Sequence, residues 1–197
     1  MFKRAYNLIF SVALVIIICS WMPAFSDNNF AADTKKANKL YKGRKHDEAL
    51  KIYSALLEKD PGSATANYNV GAALYAKGKF NDSIGYFIKA LSTEDRFIEK
   101  NALFSIGNAY FRLSRVREKN DPAGAVALCV KATDYFKLAM GLDERDKRIK
   151  YNYEVTQAFL KKIERKYYAG RTPSLKERKK QRRQKDKERR SEDRNIE

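Results

Sequence analysis

The feature that most constrains this chain is a match to itself at an offset of 34 residues. Leu40-Tyr41 pairs with Leu74-Tyr75, Ala49 with Ser83, Leu50 with Ile84, Tyr53 with Phe87 and Leu57 with Leu91. Asp47-Glu48 pairs with Asn81-Asp82, and Pro61 with Asp95. The matched positions are small or apolar and lie at helical spacing. Gly71 and Ser83 are small where two helices of a hairpin must approach closely, and Leu74, Phe87 and Leu91 fill the seam between them. Gly78 falls in the turn, where its freedom at positive φ ends the first helix. Such a hairpin leaves an apolar face that only the next hairpin covers, so about three are needed for stability. Only 4 Pro and 9 Gly in 197 residues argue against a turn-rich β-fold.

The period and the small/aromatic pattern resemble tetratricopeptide repeats, most fully over Asn67–Leu91. The resemblance implies an all-α, right-handed solenoid of about three helix hairpins plus a C-terminal capping helix. The repeats are expected at about 30–61, 64–97 and 100–141, and the cap at 144–168, within a domain spanning 27–168. In the third repeat, Ala102–Phe111 matches a first helix, with Gly107 as the close-packing residue. Its second helix is displaced: Ala132 sits 13 residues later than the period predicts. The extra stretch, Ser114 to about Ala125, reads as a charged loop. Asn120-Asp121-Pro122 then starts the second helix, with Asp121 as N-cap and Pro122 at the first helical position. In the cap, Ile149, Tyr153, Val155-Thr156, Phe159-Leu160 and Ile163 form an apolar stripe, while Lys150, Lys161, Lys162, Arg165 and Lys166 face water.

Two segments flank this body. Lys3 and Arg4, an apolar run from Leu8 and the small residues of Ala24-Phe25-Ser26 have the layout of a secretory signal peptide over 1–26, with cleavage after Ser26. The rival is an uncleaved anchor, because Ala5–Phe25 nears the ~20 residues that span a bilayer, although Asn7 and Pro23 interrupt it. Either address places the protein outside the cytoplasm, in the periplasm or cell envelope. Without Lys3 and Arg4 the net charge falls from +17 to +15, and one cysteine remains, Cys129, expected as a buried apolar residue. At the other end, residues 169–197 form a basic tail. Twelve Lys/Arg stand there against six Asp/Glu, too polar a stretch to fold alone.

The inventory excludes most enzymes. The one histidine, His46, lies in a helix–helix turn where Phe80 holds the equivalent place. There is no G-x-S-x-G motif, no phosphate-cradling glycine loop and no Cys/His metal spacing. No catalytic residue, cofactor or metal is expected. What remains is a binding surface. In this architecture the first helices line the groove, which places Asn38 and Tyr41 of repeat one, Tyr68 and Tyr75 of repeat two, and Phe104, Asn108, Phe111 and Arg112 of repeat three on it. Aromatics beside Asn and Arg suit a partner's extended peptide or helix. The alternative is that several of these rings pack between repeats. The carboxylate clamp of chaperone-binding repeats is not met: Asn38 and Asn69 fall on its asparagines, but Thr34, Asn101 and Ser105 stand where it needs cations.

Phe104–Leu113, Phe136–Met140 and Lys150–Val155 resemble the tetratricopeptide proteins of bacterial aerotolerance (Bat) operons. That resemblance implies an exported or membrane-anchored assembly protein whose partners are von Willebrand factor A-domain proteins. In the tail, Lys176, Arg178, Lys179, Lys180, Arg182 and Arg183 are expected to meet an anionic lipid or surface polymer, or simply to be solvated. Nucleic acid is not an expected partner, because the address segment takes the chain out of the cytoplasm.

Overall fold

A computed structural model describes residues 27–168; residues 1–26 and 169–197, where a leader and a basic tail are expected, lie outside the described residues. These residues form seven helices: α1 (Asp27–Lys42), α2 (His46–Lys59), α3 (Ala64–Ala76), α4 (Phe80–Lys89), α5 (Arg96–Arg117), α6 (Pro122–Leu142) and α7 (Lys147–Tyr168). Each packs on its chain neighbour, and α5 also touches α3 and α7. The result is a solenoid of three hairpins closed by α7, with no strand among the described residues.

Side-chain oxygens start three of the helices. Ser63 accepts from the backbone N–H of Ala66, Asp95 from Phe97 and Ile98, and Asp121 from Gly124, with Pro122 at the first helical position of α6. The first two hairpins turn identically. Gly78 N–H donates to the carbonyl of Tyr75 and Lys79 N–H to that of Leu74; one period earlier Arg44 donates to Tyr41 and Lys45 to Leu40. Both turns place the second residue after the helix, Arg44 and Gly78, at positive φ.

The core runs the length of the stack as successive apolar clusters. Ala37, Ala49, Tyr53, Val70 and Ala73 join α1, α2 and α3. Ile84, Phe87, Ile106 and Ala109 join α4 to α5, and Phe136, Ala139 and Ile149 join α6 to α7. Gly71 and Gly107 let the aromatic of the second helix lie against the first. A Cβ on Gly71 would sit 2.8 Å from the Phe87 ring, and one on Gly107 2.6 Å from Phe136.

Of the stretch 114–125, the second helix starts at Pro122 as the Asp121-Pro122 signal predicts, whereas Ser114–Arg117, expected in the charged loop before it, continue the first helix. The stretch lengthens α5 to 22 residues and α6 to 21, leaving only Glu118–Asp121 between them. The reason is α7, which at 22 residues outreaches an ordinary hairpin. The added turns bury Ala125 and Cys129 against Ile163, flanked by Val126, Phe159 and Leu160. Ser114 and Cys129 face each other at 0% exposure, the thiol donating to the hydroxyl at 3.3 Å. Burial raises the Cys129 thiol pKa. At the other end of the cap, Lys100 of α5 pairs with Asp143 at 2.7 Å and Asp146 at 3.5 Å, tying α5 to the α6–α7 turn.

Candidate functional site

The inner helices α1, α3 and α5 carry four equivalent rows, offset by 34 and then 36 residues. These are Thr34/Tyr68/Phe104, Asn38/Ala72/Asn108, Tyr41/Tyr75/Phe111 and Lys42/Ala76/Arg112. The fold brings four of the predicted groove residues together. Tyr41, Tyr68, Tyr75 and Asn108 line a depression of about 170 Å³, completed by Ala72, Phe87 and Ser105.

The rings are held from behind. Tyr41 meets His46 edge-on at 5.1 Å, and one period later Tyr75 meets Phe80 edge-on at 5.3 Å. His46, expected in the helix–helix turn, is instead the first residue of α2, where it packs on Tyr41 as Phe80 at the start of α4 packs on Tyr75. Tyr68 leans on Phe87 at 5.5 Å, and Phe87 floors the depression. Burial raises the phenol pKa of Tyr41, as do the neighbouring Tyr68 and Tyr75. Burial also raises that of Tyr75, against the pull of the Arg112 guanidinium. Both phenols therefore keep their protons at physiological pH. None of the three phenol oxygens has a hydrogen-bond partner among the described residues, so their hydroxyls remain available to a ligand. Asn108 Oδ1 accepts from Asn152 of α7 at 2.8 Å, which aims the rest of its amide.

The other predicted groove residues are not among those lining this depression. Asn38 is exposed and its Oδ1 accepts from the Tyr53 phenol at 2.6 Å. That phenol is pushed up to about 12, chiefly by burial. Phe104 and Phe111 are half-buried like the tyrosines but pack on other partners. Phe104 packs against Phe136 at 5.9 Å, with Arg148 over its ring at 5.7 Å. Phe111 stands perpendicular to Phe159 of α7 at 5.5 Å. In repeats one and two the row residue finds its partner five positions on; in repeat three that position is Val116, which is 70% exposed, and α7 supplies the ring instead. Arg112 is exposed and lies over Phe80 at 5.5 Å, at the Tyr75 edge of the depression. Lys176, Arg178, Lys179, Lys180, Arg182 and Arg183 lie outside the described residues.

Two lining residues escaped the sequence reading as groove members. Ser105 is the counterpart of Asn69 one period earlier, a row treated only as part of the clamp. Phe87 reads as seam filler, and at 1% exposure it is one, yet it also lines the depression beside Ala72. Among the described residues no three of His, Cys, Asp and Glu gather to hold a metal, and no helix is long and apolar enough to cross a membrane.

Comparison with known proteins places this geometry. Residues 34–97 match the family model for the tetratricopeptide repeat. The first repeat domain of human RPAP3 is similar in structure, with a TM-score of 0.58 at 19% identity over 70% of this chain and 97% of that one. The first repeat domain of Spaghetti (RPAP3), bound to the HSP90 peptide SRMEEVD, gives 0.57 at 18% identity over 68% and 95%. The Yersinia enterocolitica type III secretion chaperone SycD, in complex with a peptide of the translocator YopD, gives 0.54 at 17% identity over 72% and 96%. No curated protein matches the sequence. Residues 34–97 are matched as tetratricopeptide repeats, and the described chain from α1 to α7 has the tetratricopeptide-repeat fold.

Proposed function

We propose that this protein is a non-enzymatic protein–protein interaction module of the bacterial cell envelope, holding a partner's peptide or helix across α1, α3 and α5. The observation that carries the reading is the depression itself: three half-buried tyrosines from two inner helices converge on a third helix and keep their hydroxyls free. Rigid aromatics with a polar tip are what hot spots use. The structural relatives captured with peptides, one from HSP90 and one from YopD, support a peptide ligand. The leader sequence and the resemblance to the aerotolerance-operon proteins support an envelope location and a von Willebrand factor A-domain partner. The rival is an anchoring protein whose tail, Lys176–Arg183, grips anionic lipid or polymer.

The test is a pull-down from solubilised envelopes at physiological and high salt with three chains: wild type, Tyr75→Ala, and a deletion of 171–197. A defined protein retained at high salt by the wild type and the deletion, and lost by Tyr75→Ala, supports groove recognition. Retention that vanishes with the tail or with salt, and ignores Tyr75, transfers the function to the tail.

A further inference from the structure

We propose that the segment held in this groove is acidic, and that the depression takes an aspartate or glutamate side chain, its carboxylate bonded by phenol hydroxyls and faced by Arg112. This inference rests on groove recognition and specifies the chemistry of the ligand. The lining holds no carboxylate: its polar groups are the hydroxyls of Tyr41, Tyr68, Tyr75 and Ser105 and the Asn108 amide. Asn108 Oδ1 already accepts from Asn152, so the open half of that amide is its donor. Burial raises the phenol pKa values of Tyr41 and Tyr75, and they meet a ligand as O–H donors.

The cations at the rim differ in availability. Arg148 is bonded to Asp146 at 2.7 Å and is neutralised there. Arg112 makes no ion pair among the described residues; its guanidinium rests on the Phe80 ring, close enough to Tyr75 to favour the phenolate. An unpaired cation beside a cluster of donors is complementary to a carboxylate and hostile to an ammonium. An apolar side chain entering the same space would strand hydroxyls without partners.

The test pans a random dodecapeptide phage library against the detergent-solubilised full-length chain. Counter-selection against the Tyr41→Ala/Tyr75→Ala chain, which keeps the same tail, removes tail binders. Asp and Glu should be enriched in the selected peptides. Tyr41→Phe/Tyr75→Phe, which keeps the rings and drops the hydroxyls, should weaken a selected peptide about tenfold, with the thermal midpoint unchanged. Arg112→Glu should abolish the acidic preference. Peptides that need Tyr75 but carry no acid, or that bind the Phe variant equally well, overturn the acidic inference and leave groove recognition standing. No enrichment beyond the counter-selection overturns both.

Discussion

Arg44 holds, in the first hairpin, the left-handed backbone conformation that Gly78 holds in the second: φ is 61° at one and 76° at the other, one 34-residue period apart. Both close the same pair of turn hydrogen bonds. An L-residue with a Cβ is strained there by about 1–2 kcal/mol, whereas glycine is not. Glycine is the more flexible residue in the unfolded chain, which offsets part of the gain. Arg44→Gly should therefore stabilise the protein by about 0.5–1 kcal/mol, and Gly78→Arg should destabilise it by a similar amount. Urea unfolding of the two variants checks the signs, and a loss of stability in Arg44→Gly would contradict the argument.

Gly107 and Phe136 provide a second test. Replacing a mid-helix glycine by alanine ordinarily gains about 0.5–1 kcal/mol. Here the new methyl would sit 2.6 Å from a ring carbon of Phe136, a residue with 0% exposure that has no room to retreat. Overpacking of this kind costs about 1–3 kcal/mol, so the net effect of Gly107→Ala should be destabilising by about 1–2 kcal/mol. Adding Phe136→Leu in a double-mutant cycle should recover part of that loss. Two effects that simply add would show that the contact is not the cause.

Phe111 should behave as a structural residue. Its ring stands edge-on to Phe159 of α7, so Phe111→Ala should lower stability by about 2–3 kcal/mol, and Phe159→Ala should do much the same. Tyr75→Ala, whose ring faces the depression, should lose less stability and more ligand. Thermal unfolding of the three variants, set beside the binding of a selected peptide, separates the two roles. Equal losses of stability at Tyr75 and Phe111 would remove the distinction.

Asp146 makes the cap sensitive to acid. Its side chain is 8% exposed and bonded to Arg148 at 2.7 Å, with Lys100 at 3.5 Å. The Arg148 guanidinium, ahead of the partial opposition of burial, holds its carboxyl well below the usual carboxylate range. A depressed folded pKa stabilises the native state above the unfolded value of about 3.9, and that contribution is lost as pH falls below it. The thermal midpoint should drop between about pH 5 and pH 2, and less steeply in Asp146→Asn, which starts from a lower midpoint at neutral pH. An Asp146→Asn chain with the wild-type slope would assign the acid loss to other carboxylates.

The sequence alone determined the repeat. A 34-residue self-match, small residues at 71, 83 and 107 and an Asp-Pro start at 121–122 are local signals, each read by the helix that contains it. They carried the all-α class, the hairpins and the capping helix, because helical periodicity and capping act over a few residues. Tertiary structure decided how each position is used. Tyr41, Tyr75 and Phe111 are equivalent in sequence, yet two line a depression and the third packs on a ring of α7, because only the third repeat has α7 beside it. Likewise Ser114–Arg117 carry enough charge to pass for the start of the loop, yet they continue α5 on the same side as the far end of α7, where Ser114 is buried against Cys129. Which face of a helix stays open depends on what packs against it, and that is a property of elements distant in the chain.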